Sequence, residues 1–215
     1  MKNQRHRIPL NALAVTLATI LPVGCTLLPP PKPDTTRYYI LDATAPAAAR
    51  AGTTLVINLT EATIPDYLNR DQIVTRTTPN RIVFDEEHLW AEPLQKRVPS
   101  VLAKNLQRAA GSNHIDWDHP DTGKGAIPVR IEILQLDGNF GKGITLRAAW
   151  SVSSSKNAAH FRIDKEHADT VPLAEDATYD DYANGINQLL AQLAQLVAKD
   201  ILETKAREHS TTNAP

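Results

Sequence analysis

A chain of 215 residues whose one cysteine is Cys25 cannot close an internal disulfide, so its fold has to be held by packing alone. That is feasible at this length, because a domain of roughly 190 residues buries about 70% of the surface that its extended chain exposes. The question is then why the cysteine stands within "ILPVGCTLLPPPKPD", between an oily run and a cluster of prolines.

The residues before Cys25 supply an answer. Lys2, Arg5 and Arg7, with no acid among them, make a positive n-region, and Ile8 to Leu21 is a 14-residue, largely apolar stretch. A bilayer-spanning helix needs about 20 apolar residues, so this segment has the length of a signal-peptide h-region instead. It ends in "PVGC", not in an A-x-A cleavage site. Gly24 before Cys25 resembles a bacterial lipobox, in which the cysteine sulfur takes a diacylglycerol and the chain is cut just before it. The plainer alternative is a cleaved, unmodified leader with an incidental cysteine. Each buried acyl carbon contributes roughly 0.8 kcal/mol and two or more chains hold stably, so an acylated Cys25 is a lasting membrane anchor. Thr26 follows the cysteine where Asp would retain a lipoprotein in the inner membrane. The expectation is a lipid-anchored outer-membrane protein facing the periplasm.

The formal charge is −1, and the first 24 residues carry three positive charges and no negative one, which leaves −4 for residues 25–215. Without a basic block, nucleic acid and anionic headgroups are poor partners. Four prolines within residues 29–33 favour stiff polyproline II, so residues 25–37 read as a tether that reaches at most about 40 Å. The organisation expected is a signal peptide over 1–24, a lipidated tether over 25–37, one domain over 38–205 and a disordered tail over 206–215.

Within the domain, "YYIL" (38–41) and "TLVINLTEA" (54–62) read as strands, the second with Leu55, Ile57 and Leu59 on one face. The chain breaks at Pro65, resumes as a strand from Ile73, turns at "TPNR" and returns along "RIVFDEE". Leu94, Val98, Val101, Leu102 and Leu106 predict a helix from Glu92 to Ala110, stopped by Gly111. A short strand at 114–117 precedes the clearest hairpin, in which Val129, Ile131, Ile133 and Gln135 share a face before a glycine-rich turn. "HFRIDKEHAD" adds a strand, and Asp180 to Lys205 is an amphipathic helix whose stripe runs from Tyr182 to Ile201. The fold class is therefore α/β, a single-domain sandwich of mixed β-sheet with covering helices behind a lipidated, flexible N-terminus.

Chemistry is hard to find. His114, Asp116, Asp118 and His119 form the best metal-like cluster, but Pro120 and Ile127 occupy positions where a calcium loop needs ligands. "TGKG" (122–125) and "GKG" (141–143) lack the P-loop pattern, and "SVSSSK" (151–156) has no base at fixed spacing. No catalytic residue, metal site or cofactor is assigned. Trp90 and Trp150 have core readings, with a binding patch as the alternative.

"YYIL", "IPDYLNRDQIVTR" (64–76), "HLWAEPLQKRVPSVLAKNL" (88–106) and the closing hairpin with its long helix together resemble the ABC-type transport auxiliary lipoproteins, a paraquat-inducible protein C-like family. The resemblance implies a non-catalytic head docking a periplasm-spanning MCE-domain assembly that moves lipids. Its partners would be an MCE-domain protein and an inner-membrane protein, and a ring of heads would suit a ring-shaped partner. Tyr67, Leu68, Arg70 and Trp90 are the candidate contacts, with structural roles as the alternative. The competing functions are an assembly factor for a secretion machine or cell-wall contact, and a tethered periplasmic hydrolase.

Overall fold

Alternation along the sheet and helical spacing outside it divide the chain into two layers. The computed structural model describes residues 33–49, 53–117, 125–155 and 162–212, and from Thr36 onward they belong to one unit. In chain order the elements are β1 (Arg37–Tyr39), β2 (Thr53–Thr63), a single 3-10 turn (Asp66–Leu68), β3 (Gln72–Thr78), β4 (Arg81–Trp90), α1 (Leu94–Ala110), β5 (Ser112–Asp116), β6 (Ile127–Asn139), β7 (Gly143–Ser153), β8 (Arg162–Val171) and α2 (Tyr179–Thr212).

The 13-residue β6 is the axis of the mixed sheet. Antiparallel β7 follows it on one edge, and β8 lies outside β7 in ten unbroken pairs. The other edge is shared: β2 runs parallel to the first half of β6, and β3 meets the second half at the Thr75–Gly138 pair. β5 extends the sheet beyond β2, while β4 and then β1 extend it beyond β3.

Both helices cover the face to which Ile57, Leu59, Val129, Ile131, Leu146 and Ala148 point, all at most 2% exposed. Each such Val, Leu or Ile side chain contributes about 1.5–3 kcal/mol on full burial. In α2, Tyr182, Ile186, Leu189, Leu190, Leu193, Val197 and Ile201 are buried as the stripe requires, but Leu196 is 37% exposed on its margin. α1 starts at Leu94, two residues later than expected, because Pro93 takes the cap position. It ends on Gly111, whose φ of 63° is a left-handed cap conformation that glycine adopts without a Cβ clash.

The segment after β1 straps the helices together. Leu41 and Ala45 are fully buried, and Arg97 Nε donates to the Leu41 carbonyl at 2.7 Å. The Ala45 N–H donates to Asn105 Oδ1 of α1 at 2.8 Å, and the Asp42 N–H to Asn187 Oδ1 of α2 at 2.9 Å.

Three local expectations change. A register shift between Ile133 and Gln135 moves Gln135 off the core face and puts Leu136, 2% exposed, in its place. Between the Val74–Phe84 and Gln72–Leu89 pairs, β4 carries a bulge at Asp85–His88, where Asp85 Oδ1 accepts from the N–H groups of Glu87 and His88. Helix α2 continues through the expected tail as far as Thr212, because Glu208 is buried against Ser154 and Ser155, whose hydroxyls donate to it at 2.8 and 2.9 Å.

Candidate functional site

The segment singled out in the sequence, Pro65 to Arg70, is the corner between β2 and β3. Pro65 cannot continue a ladder, so the chain turns through Asp66–Leu68, with the Leu68 N–H donating to the Pro65 carbonyl at 3.0 Å. Leu68 drops into the core at 2% exposure, and Trp90 joins it at 4%. Arg70 Nε donates back to the Tyr67 carbonyl at 3.0 Å, while its guanidinium lies 3.8 Å above the Phe84 ring. The Trp90 N–H donates to the Asp71 carbonyl at 2.6 Å, so the fold does bring all four candidates to one corner.

Beneath that corner is a polar hub that sequence reasoning missed. Asp137 of β6 is fully buried. It accepts from Arg76 Nε at 2.6 Å and Nη2 at 2.7 Å, from the Tyr67 hydroxyl at 2.5 Å and from Gln135 Nε2 at 3.0 Å. Burial pushes the Asp137 carboxyl upward, but the Arg76, Tyr67 and Gln135 donors outweigh it and hold the group below its ordinary range. Burial, then the bond to Asp137, pushes the Tyr67 phenol up to about 12. The clue was present but faint: "QIVTRT" places a base as the one charge of β3, and "LQLDGN" places an acid at the end of β6, where the alternation had assigned the outward face to the charges Arg130 and Glu132. An open cleft of about 230 Å³ beside the hub is lined by Arg76, Pro79, Gln135, Asp137, Lys142 and Thr145.

A second cluster holds the first turn of α2. Tyr179 donates its hydroxyl to Asp85 Oδ2 at 2.6 Å, and His88 stacks on the Tyr179 ring at 3.8 Å with its Nδ1 2.8 Å from Asp85 Oδ1. Burial raises the Tyr179 phenol, and the bond to Asp85 raises it further. Both clusters consist of groups that satisfy one another. In each, the carboxylate holds a tyrosine hydroxyl and a second donor side chain, which ties separate elements together.

The remaining candidates are quickly placed. Cys25, Asp118 and His119 lie outside the described residues. His114 Nε2 and Asp116 Oδ1 are 2.6 Å apart, and the described residues hold no group of three or more metal-type side chains. The "GKG" motif is the β6–β7 turn, with Gly141 and Gly143 at positive φ. Trp150 is buried and donates its indole N–H to Asp200 Oδ2 at 2.9 Å. No helix among the described residues is long and apolar enough to cross a membrane.

Residues 39–198 match the model of a protein family described as the ABC-type transport auxiliary lipoprotein component. The chain belongs to this family. Transport auxiliary lipoproteins are membrane-anchored components of a transport system, and the segments that carry the resemblance, from "YYIL" to the long helix, all reach into the matched span. A comparison with curated proteins returned no match. Among solved structures, the chain is similar to an uncharacterized protein, with 19% identity, a TM-score of 0.61, and coverage of 77% of this chain and 98% of that one. It is also similar to a Xanthomonas campestris protein, with 11% identity, a TM-score of 0.61, and coverage of 81% and 99%. At such identities the likeness concerns the fold.

Proposed function

We propose that this auxiliary lipoprotein is a non-catalytic docking piece, held on the periplasmic side of the outer membrane by an acylated Cys25, for an MCE-type assembly that carries lipids between membranes. The observation that carries the reading is the family match behind a lipobox-like "PVGC" with Thr26 after the cysteine and a proline-rich tether before the head. The Asp137 cluster is compatible with it, since Arg76, Tyr67 and Gln135 are all turned onto that carboxylate and stiffen the corner of the fold. In this reading Tyr67 and Arg70, both part-exposed, form the contact surface, and the buried Leu68 and Trp90 hold it from below. A ring-shaped MCE partner would be met by several heads arranged as a homo-oligomer.

The test is affinity purification of the tagged, acylated chain from solubilised membranes. An MCE-domain protein and its inner-membrane partner are expected to co-purify. Recovery of secretion or cell-wall machinery in their place would overturn the proposal.

A further inference from the structure

Exposed apolar side chains are ordinary when they stand singly and informative when they gather. Among the described residues, the two most exposed large hydrophobic side chains are Tyr38, at 67%, and Ile40, at 51%. The other five, Val83, Trp117, Leu134, Leu196 and Leu202, lie between 37% and 45%. Tyr38 and Ile40 are two residues apart in the extended stretch that begins with β1, so they point to the same side. Their neighbours point the other way. Tyr39 packs against the core, with its ring 6.2 Å from that of Tyr179, and Leu41 is fully buried. Leu89 of β4 is in register with Tyr38 and shares its outward side, half-buried, whereas Trp90, in register with Tyr39, belongs to the core.

The position of this patch along the chain decides its occupant. β1 is the first strand of the head, and on its N-terminal side the sequence runs through the proline-rich segment to Cys25. From residue 25 to residue 38 is a reach of at most about 40 Å. An acylated Cys25 thus holds Tyr38 and Ile40 closer to its bilayer, along the chain, than any other exposed large hydrophobic side chain. Over such a span the effective concentration of the patch at the lipid surface is on the order of millimolar, so a contact too weak to capture the free head is occupied in the tethered one. Tyrosine suits that place, because its ring is apolar and its hydroxyl wet, the combination that collects at the headgroup level of membranes.

The neighbouring charges say which kind of lipid fits. Arg97 lies 3.9 Å from Asp42 and 3.4 Å from Glu92, and Arg37 is in register with His88, just after Glu86 and Glu87 in the β4 bulge. This neighbourhood has no basic excess to draw it to an anionic leaflet, so it fits zwitterionic headgroups and works through its apolar side chains.

We infer that Tyr38 and Ile40, with Leu89 beside them, rest in the headgroup layer of the bilayer that holds the anchor, so that the head lies against the membrane by its β1 side instead of standing off at the tether's full reach. This rests on the proposed acylation of Cys25 and adds the lipid surface that the head itself touches. The acylated chain, in phosphatidylethanolamine–phosphatidylcholine vesicles, is given Tyr38→Cys, Ile40→Cys or, as a reference on β6, Leu134→Cys. With Cys25 acylated, the introduced cysteine is the one free thiol, and it is labelled with nitrobenzoxadiazole. Labels at 38 and 40 should emit at shorter wavelength and be quenched by nitroxide-bearing lipid, to the same extent at low and high salt, while the label at 134 does neither. Absence of quenching at 38 and 40, or equal quenching at all three positions, overturns the contact. A shift that forms without vesicles and grows with protein concentration assigns the patch to a second copy and overturns it too. Repeating the measurement in a Cys25→Ala background, with the chain held by an N-terminal histidine tag on nickel-chelating lipid, separates the two claims. Quenching there supports the lipid contact even where the wild type proves to carry a bare thiol at residue 25 and the acylation reading has failed.

Discussion

Removing Arg76 should expose how much of the head depends on the Asp137 hub. In Arg76→Leu the fully buried carboxylate loses the bidentate partner that holds it at 2.6 and 2.7 Å and keeps Tyr67 and Gln135. Breaking a buried ion pair by deleting one member costs about 3–5 kcal/mol, and because the Arg76 side chain is itself 26% exposed, about 3 kcal/mol is the expected loss. For a domain of this size that corresponds to roughly 6–12 °C in Tm. The assay is thermal and urea unfolding of the Cys25→Ala chain, with Arg76→Leu/Asp137→Asn beside the single variant. The double variant should recover part of the loss, since no uncompensated charge is left behind. The pH dependence has a definite sign. Asp137 is depressed in the folded state, so its contribution is complete above the ordinary carboxylate range and is lost as pH falls through the depressed value. The gap between wild type and Arg76→Leu should therefore narrow in acid. A Tm within 2 °C of wild type at pH 7 would refute the reasoning.

Other perturbations test other joints. Gly111→Ala forces a Cβ into a left-handed cap at φ 63° and should cost about 1 kcal/mol, read from the urea midpoint. Trp150→Phe keeps most of the packing but removes the donor to Asp200, and should cost about 1–3 kcal/mol with little change in m. Asn187→Ala unhooks the strap from α2 by removing the acceptor of the Asp42 N–H, and should increase amide exchange at Asp42 while leaving the β6–β7 hairpin protected. Cys25→Ala should move the protein from the membrane to the soluble periplasmic fraction, as followed by fractionation.

What the sequence made legible follows from local rules. The alternation at Leu55, Ile57 and Leu59, the break at Pro65, the stop at Gly111 and the stripe from Tyr182 to Ile201 each depend on residues within a few positions of one another, and each stands in the structure. The corner of Tyr67, Leu68, Arg70 and Trp90 was legible as a set of motifs but not as a geometry. Its organiser, Asp137, lies 70 residues from Tyr67 and 61 from Arg76. Arg76, the one charge of β3, hints at such a partner without naming it. The bulges at Gln135 and at Asp85–His88 were hidden for another reason. Each depends on the register of a neighbouring strand, and one extra residue reverses which side chains face the core. The length of α2 was misjudged because Glu208 looks like a solvated helix end until Ser154 and Ser155, just after β7, are placed beside it.

The account rests on a head that works from a fixed anchorage, and intact mass spectrometry of the chain extracted from membranes measures this directly. The prediction is a polypeptide that begins at Cys25 and carries the added mass of a diacylglycerol with a further acyl chain. A mass matching an unmodified thiol at residue 25 would contradict it.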